Sequence, residues 1–263
     1  MTALGRIALG SAPVTRPVLA PFTGELLRDL PLSTPADVAA AAMSARVAQR
    51  AWAVRPVSER ARIMLRFHDL IHENREEGLD LLQLETGKAR RDAMEEILDV
   101  LLTARHYARD AQRLLRPRRH RGVFPLAVGV RELHQPRGLV GVIAPWNYPL
   151  TLAVSDAIPA LLAGNSVLLK PDPQTTGIAL WAVDLLIQAG VPESCFAVVT
   201  GEGPDIGPAI IDACDYIMFT GSTKVGREIA ARCGERLIGC SLELGGKNAM
   251  IVRADVDVAR AAE

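Results

Sequence analysis

The chain has 263 residues; 49% of them are hydrophobic, and 30 Lys and Arg balance 30 Asp and Glu. This composition excludes an intrinsically disordered chain, which combines low hydrophobicity with a large net charge. It also argues against a nucleic-acid-binding protein. Such proteins are basic or stack bases on aromatic side chains, and only 4% of these residues are aromatic.

The first part of the chain divides into an arm and a helical portion. Residues 1–20 are rich in Ala, Gly and Pro and have no hydrophobic period, so we expect an irregular arm. Residues 21–121 are predicted to be mainly helical. The first helix begins at Pro35, which follows the capping residue Thr34.

Within the helical portion, apolar residues recur at helical spacing in two segments. The segment 58–77 brings Phe67 and Ile71 to one face of a helix. A second long helix is predicted over residues 90–115. Its inward-facing residues are predicted to be Ile97, Leu101 and Leu102.

After the helical portion, the sequence becomes basic and then changes to a strand-like pattern. Five arginines lie between Arg113 and Arg121, and with a net charge of zero they favour a solvated surface over a site for an acidic partner. Residues 122–137 are predicted to form a pair of strands, with Val128 and Val130 on one face.

From residue 138 to residue 263, apolar runs alternate with helical segments, which predicts an α/β fold with a parallel, doubly wound, Rossmann-like sheet. The run 138–144 is continuously apolar, as a strand buried on both faces should be. Further strands are predicted at 167–169, 196–200, 216–220, 237–244 and 249–252. Helices are predicted at 155–163, 175–189, 204–213 and 223–232, and a helical pattern runs from Asp255 to the last residue.

The four cysteines have no CxxC spacing and the five histidines have no metal-ligand spacing. The sequence therefore predicts neither a metal site nor a disulfide framework. Cysteines without such a framework are typical of the reducing cytoplasm. We also expect no signal peptide, because the basic and apolar regions are lacking, and no membrane segment, because no run of 18 apolar residues occurs.

Two turns between a strand and a helix are candidate anion sites, because free N–H groups and the helix dipole meet at such helix starts. One is the glycine-rich turn 201–207, and the other is the turn 219–226. Neither contains the GxGxxG fingerprint, so the glycines alone are equally well explained by tight turns.

Three polar side chains follow or end predicted strands. Lys170 closes a strand at the edge where parallel sheets bind ligands, although an exposed lysine is the common alternative. Asn147, in a proline-stiffened loop, could donate an N–H group to a developing oxyanion, or be an ordinary turn residue. Glu243, among apolar residues, is a candidate general base; the alternative is an ion pair with Lys247.

Together these motifs resemble the aldehyde dehydrogenase superfamily, most closely bacterial succinate-semialdehyde dehydrogenases. The matching motifs occur in family order: ETGK at 85–88, PWNYP at 145–149, KP at 170–171, GxxxG at 203–207, FTGS at 219–222 and LELGGK at 242–247. The resemblance covers roughly residues 20–263. It implies a Rossmann-like cofactor domain, an oligomerisation hairpin at 122–137 and a catalytic domain that this chain lacks.

The resemblance also implies roles for individual residues. Asn147 would be the oxyanion-hole amide, and Glu243 would be the base that activates water. Lys170 would bind the adenosine ribose, and the turn with Gly221 and Ser222 would meet the pyrophosphate. The other cofactor contacts implied are Pro145, Trp146, Pro173, Gly203, Phe219, Val225 and Leu244.

Two positions depart from the family pattern. NAD-preferring members carry a ribose-binding Glu where this chain has Pro173. Loss of that carboxylate favours NADP over NAD, with the neighbouring Asp172 as a competing carboxylate. Some succinate-semialdehyde enzymes grip the substrate carboxylate with an Arg on the helix after the Trp-Asn motif, and Ser155 stands there here.

The family reaction also needs a cysteine nucleophile a few dozen residues beyond the base, and none of Cys195, Cys214, Cys233 and Cys240 has that context. We therefore expect NAD(P)-dependent oxidation of an aldehyde to an acid, with succinic semialdehyde as the candidate substrate. That activity would belong to a full-length, homo-oligomeric form, and this chain alone would be inactive. The alternative is a non-catalytic dinucleotide-binding or assembly protein.

Overall fold

The computed structural model describes residues 3–9, 13–124 and 128–262. In chain order its strands and helices are β1 (Thr15–Leu19), β2 (Leu26–Pro31), α1 (Pro35–Ala53), α2 (Val57–Glu73), α3 (Arg75–Thr86), α4 (Arg90–Leu114), β3 (Arg118–Arg121), β4 (Gly129–Glu132), β5 (Leu139–Ile143), α5 (Pro149–Val154), α6 (Ala157–Leu162), β6 (Ser166–Lys170), α7 (Thr176–Ala189), β7 (Phe196–Val198), α8 (Gly203–Ala213), β8 (Tyr216–Thr220), α9 (Thr223–Glu235), β9 (Gly239–Glu243) and α10 (Val258–Ala262). None of these helices is long and apolar enough to cross a membrane.

A parallel sheet with the strand order β7-β6-β5-β8-β9 forms the centre of the molecule. The predicted doubly wound α/β sheet is thereby confirmed. The strands β6 and β7 are added on one side of β5, and β8 and β9 are then added on the other side of β5. This reversal lies between β5 and β8, and ligands of such sheets bind at the carboxyl edge near this point.

Both faces of the sheet are covered by helices, and side chains alternate between them with the period of two expected of strands. In β6, Leu168 packs with the cluster formed by α1, α8 and α9, whereas Val167 and Leu169 pack with the helices α2 to α7. The middle strands are buried on both faces, which explains their continuous apolar runs.

The long helix α4 buries one stripe of residues spaced three or four apart. The buried residues include Ala93, Ile97, Val100, Ala104, Ala108 and Ala111. The prediction that Leu102 faces inward was wrong, because the residue is 67% exposed. Its position is 100° further round the helix than the half-buried Leu101, which takes it off the buried stripe.

The predicted irregular arm needs correction, because residues 1–20 contain the strand β1. β1 pairs antiparallel with β2, with Arg16 opposite Leu30 and Pro17 opposite Asp29. Proline lacks a backbone N–H group and is tolerated only where a strand edge does not need one, so Pro17 concealed the strand in the sequence. Residues 1, 2 and 10–12 of the predicted arm lie outside the described residues.

The predicted hairpin also needs correction, because it begins before residue 122. Its strands are Arg118–Arg121 and Gly129–Glu132, which pair antiparallel. The first strand is therefore built from the basic residues that the sequence assigned to the helical portion. A two-stranded ribbon with exposed side chains needs no apolar alternation, so its composition gave no strand signal. Residues 125–127 lie outside the described part.

Two further predictions were wrong in detail. The helix predicted over 155–163 begins two residues later as α6, and the separate helix α5 that precedes it was not predicted. Pro159 explains why the two helices are not continuous, because it cannot donate to the carbonyl of Ser155. No strand forms at 249–252, where Met250 and Ile251 are exposed and pair with none of the described strands.

Candidate functional site

A cavity of about 730 Å³ lies at the carboxyl ends of β5, β6 and β8, beside α8 and α9. This is the point where the strand order reverses, and the volume lies within the usual range for a cofactor pocket. The residues predicted from the sequence that line it are Pro145, Lys170, Pro173, Gly203, Phe219, Gly221 and Val225. The cavity lining does not include the other predicted residues, Trp146, Asn147, Ser222, Glu243 and Leu244.

Lys170 ends β6 with its side chain facing the cavity, and it is only 5% exposed. Its Nζ donates to the carbonyl oxygen of Pro171 at 3.2 Å, so two of its three protons are left without a described protein acceptor. Burial lowers the pKa of Lys170, and the charges of Asp172 and Glu202 oppose that shift. A buried ammonium group with spare donors fits a ligand that presents hydroxyl groups.

Two glycines of α8 line the cavity beside Pro204, Pro208 and Ile211 of the same helix. A Cβ built on Gly203 or Gly207 would meet no atom within 4 Å, so the cavity reaches the helix backbone there. Gly221, on the opposite wall, has no such room, because a Cβ there would lie 2.5 Å from the ring of Phe219. At these two glycines a ligand can approach the backbone of α8 closely.

The helix α9 points its N-terminus toward the same edge. Ser222 caps it by accepting a hydrogen bond from the backbone N–H of Val225 at 3.3 Å. The remaining free N–H groups and the dipole of this 13-residue helix favour an anion at its start. A cavity with a spare buried ammonium, two glycines in its wall and this helix start fits a dinucleotide.

Asp172 and Pro173 form the turn that follows Lys170. The Asp172 carboxylate accepts the backbone N–H of Gln174 at 2.9 Å and so caps the short 3-10 turn Pro173–Thr175. Asp172 also lines the cavity, so its negative charge remains next to Lys170. Pro173 itself lines the cavity and offers no polar side chain.

The Asn147 loop follows β5, and a buried ion pair binds its backbone. Lys88 donates to the backbone carbonyl oxygen of Asn147 at 2.9 Å and also pairs with Glu96. Glu96 is buried and accepts the N–H groups of Leu150 and Thr151 at 2.9 and 3.2 Å, which caps α5. The backbone of the loop is fixed, while Asn147 is exposed at the edge.

Glu243 ends β9, opposite Thr220 of β8. Its backbone carbonyl oxygen accepts the N–H of Gly221 at 2.9 Å, and its side chain is exposed. Leu244 packs against α9 at Gly226, where a Cβ would lie 2.4 Å from its Cδ2. Burial and then the charge of Glu243 raise the pKa of Asp156, which precedes α6. Asn147 and Glu243 thus lie on one edge of the sheet.

Sequence reasoning gave no role to Glu85, which the structure places at the start of α7. Its carboxylate accepts the N–H groups of Gly177 and Ile178, each at 2.9 Å, and pairs with Arg28. Burial raises the pKa of Glu85, and Arg28 and the two N–H groups oppose the rise. The only signal in the sequence was the ETGK motif, which contains both Glu85 and Lys88.

None of the four cysteines lines the cavity. Cys195, Cys214 and Cys233 are buried, and burial raises their pKa values to about 11, 12 and 11. Cys240 is half-buried within β9. Among the described residues, no group of three or more His, Cys, Asp or Glu is placed to hold a metal ion.

Comparison with known proteins gives consistent results. Residues 10–263 match the model of the aldehyde dehydrogenase family. A relative from Mycolicibacterium smegmatis, named "Putative succinate-semialdehyde dehydrogenase [NADP(+)]", is 56% identical over 93% of this chain and 48% of its own length. The chain thus spans about half the length of the curated relatives it matches.

Solved structures share the fold. An NAD-dependent benzaldehyde dehydrogenase from Corynebacterium glutamicum superposes with a TM-score of 0.86 at 32% identity, covering 97% of this chain and 56% of that one. The NAD+ complex of an aldehyde dehydrogenase from Bacillus cereus gives a TM-score of 0.85 at 32% identity, covering 94% and 51%.

Proposed function

The chain belongs to the aldehyde dehydrogenase family, and we propose that it provides the cofactor site and two catalytic side chains for NADP-dependent oxidation of an aldehyde to a carboxylic acid. The observation that carries this proposal is the cavity at the reversal of the strand order, with Lys170 buried in its wall and Asn147 and Glu243 on the same edge.

Each residue has a physical role in this proposal. Lys170 donates its spare protons to the ribose hydroxyls, and the N-terminus of α9 with Gly221 and Ser222 binds the pyrophosphate. The amide of Asn147 donates to the oxygen of the reacting carbonyl, and Glu243 takes a proton from the attacking water. The bound dinucleotide supplies the hydride acceptor for the aldehyde carbon.

NADP is the proposed cofactor, although the same site has the elements to bind NAD. Pro173 presents no carboxylate to repel a 2′-phosphate, whereas the neighbouring Asp172 lines the cavity and keeps its charge. The name of the Mycolicibacterium smegmatis relative also specifies NADP(+).

The proposed substrate is succinic semialdehyde, as in the name of that relative. Ser155 does not provide the cation that would pair with the substrate carboxylate. Its hydroxyl instead donates to Asp99 at 3.2 Å. A residue other than Ser155 must therefore bind the carboxylate of succinic semialdehyde.

We propose that the hairpin of β3 and β4 joins copies of the full-length enzyme. Support comes from the apolar residues Val123, Phe124, Val128 and Val130, which are all exposed on or beside it. We also propose a cytoplasmic location, because all four cysteines are free thiols.

The 263-residue chain by itself is proposed to bind dinucleotide without turnover. Three of its thiols are buried with raised pKa values, and the fourth lies in a strand, so none of them provides a thiolate at the site. This observation favours the second candidate function, a dinucleotide-binding protein, for the chain in isolation.

Titration of the purified chain with NADPH, followed by nicotinamide fluorescence, tests this proposal. We expect saturable binding that Lys170→Met weakens roughly tenfold, because hydrogen bonds from the charged group are lost. Lys247→Met is the matched control, since Lys247 is exposed and does not line the cavity. Addition of NADP and succinic semialdehyde should produce no NADPH.

Two results would count against the proposal. If the folded wild-type chain does not bind NADPH, the proposed cofactor site is wrong. An aldehyde-dependent rise in NADPH absorbance would show that the chain has a nucleophile of its own. The proposal that the chain alone is inactive would then be wrong.

A further inference from the structure

The strand β1 lies across one end of the cavity and is fastened on both sides of it. At its C-terminal end, the side chain of Gln174 donates to the carbonyl oxygen of Leu19 at 2.9 Å. Gln174 directly follows Pro173, which lines the cavity. This end of β1 is therefore fixed to the turn after Lys170.

The other end of the β1–β2 pair is fastened to the turn that precedes α8. Just beyond β2, the N–H of Ser33 donates to the carbonyl oxygen of Thr200 at 2.8 Å, and its Oγ accepts the N–H of Thr200 at 3.1 Å. Thr200 is followed by the turn that contains Glu202 and Gly203, both of which line the cavity.

These fastenings place Arg16 of β1 at the rim. Arg16 Nη1 pairs with the carboxylate of Glu202. No other partner of its guanidinium is found among the described residues, so four of its five N–H donors remain available. Arg16 is also close enough to Lys170 to lower the pKa of that residue, although burial is the larger cause.

We propose that Arg16 binds the 2′-phosphate of the adenosine ribose and makes the site selective for NADP. This inference rests on the proposed function, because it assigns a cofactor group to one end of the proposed cofactor cavity. The ribose hydroxyls lie at Lys170, and the next cation along the rim is Arg16. A guanidinium binds a phosphate through two parallel hydrogen bonds, which a lysine cannot reproduce.

Glu202 has an opposing effect in this arrangement. Its carboxylate repels a phosphate, and the pairing with Arg16 offsets that charge. Removal of the Glu202 charge should therefore strengthen binding of the phosphorylated ribose. Removal of the Arg16 charge should weaken that binding for two reasons: the phosphate loses its cationic partner, and the charge of the Glu202 carboxylate is no longer offset.

The test compares two adenosine ligands that differ by one phosphate: 2′,5′-ADP and 5′-AMP. Calorimetric titration of the 263-residue chain should give tighter binding of 2′,5′-ADP. Arg16→Gln should reduce the ratio of the two affinities roughly tenfold or more and change 5′-AMP binding less than twofold, because only one charge-assisted contact is lost. Glu202→Gln should raise the affinity for 2′,5′-ADP.

Arg105→Gln is the matched control, since it removes the same charge from an exposed position on α4 away from the cavity. Equal loss of affinity for 2′,5′-ADP in both arginine variants would reduce the effect to net charge and overturn the inference. An unchanged affinity ratio in Arg16→Gln, with 5′-AMP still bound, would also overturn it while the cofactor site stands. If neither nucleotide binds the wild-type chain, the proposed function itself fails.

Discussion

At the scale of single residues, Glu85 and Glu96 perform the same task at two helix starts. Each is buried, each accepts two backbone N–H groups, and each is paired with one cation, Arg28 or Lys88. A buried carboxylate is costly unless such partners compensate it. The helices they cap, α7 and α5, follow the strands that deliver Lys170 and Asn147, so these glutamates position the site from the helical layer.

Glu96→Gln should therefore loosen the Asn147 loop. The amide keeps the size of the side chain but replaces charge-assisted hydrogen bonds and leaves Lys88 without its counter-ion. We expect a loss of roughly 1–3 kcal/mol in the free energy of unfolding, measured by urea denaturation. Hydrogen exchange of the amides of Leu150 and Thr151 should become faster.

Glu95→Gln is the matched control, because Glu95 is the exposed neighbour on the same helix. Its effect should stay within about 0.5 kcal/mol, as for most surface substitutions. Similar stability losses in the two variants, or unchanged exchange at Leu150 and Thr151 in Glu96→Gln, would contradict the capping role.

The sequence identified candidate site residues where they stand at or just after the end of a predicted strand. Lys170, Gly203 and Phe219 each follow or close an apolar run, and all three line the cavity; their roles remain proposals. The helix-capping role of Glu96 and the position of Arg16 gave no local signal, because the N–H of Leu150 that Glu96 accepts is 54 residues away along the chain and the Glu202 partner of Arg16 is 186 residues away. Contacts of this length arise only from packing, which the sequence pattern does not contain.

At the scale of elements, β5 and α8 meet where Gly141 leaves room. A Cβ on Gly141 would lie 2.8 Å from Ile217, 2.9 Å from the sulfur of Cys214 and 3.3 Å from Ile210. Side chains of the strand β8 and of α8 therefore fill the space above this glycine. Because α8 also forms a wall of the cavity, the fit at Gly141 determines how close that wall lies to the sheet.

Gly141→Val should overpack this contact. We expect a loss of about 1–3 kcal/mol in the free energy of unfolding and weaker binding of NADPH, because α8 must move outward. Gly129→Val is the control in the exposed strand β4, where a Cβ meets nothing within 4 Å. The expectation fails if Gly141→Val is as stable as Gly129→Val, or if it loses stability with no change in NADPH affinity.

Elements with a clear hydrophobic period were predicted, and elements without one were missed. The sequence located α2, α4 and the parallel strands, since burial of one helical stripe or of both strand faces leaves a pattern. It missed β1, which contains Pro17, and β3, which consists of Arg and His. The β3–β4 pair is largely exposed, and the β1–β2 pair buries only Val18, Leu30 and Pro31, which are too few to set a hydrophobic period.

At the scale of the whole molecule, buried thiols lie on both faces of the sheet. Cys195 belongs to the cluster with α2 to α7, whereas Cys214 and Cys233 belong to the cluster with α1, α8 and α9. Burial raises the pKa values of these thiols from 9.0 to about 11 or 12. Unfolding exposes all of them to water, so the stability of the entire fold depends on pH in the alkaline range.

The sign follows from the protons bound in each state. Above about pH 9 the unfolded chain loses thiol protons that the folded chain retains until about pH 11, so the free energy of unfolding falls as the pH rises. Each thiol contributes at most about 1.4 kcal/mol per pH unit. This contribution to stability is fully present below pH 9 and is lost as the pH approaches the folded-state values.

Cys214→Ala should therefore give a shallower alkaline decline than the wild-type chain in urea denaturation across this range, even though the lost packing lowers its stability at neutral pH. Val142→Ala is the control, because it removes buried packing without removing a titratable group, and it should decline in parallel with the wild type. The comparison uses slopes rather than absolute stabilities, so lysine and tyrosine ionisation cancels between variants. Parallel declines in wild type and Cys214→Ala would mean that the Cys214 thiol ionises equally in the folded and unfolded chains.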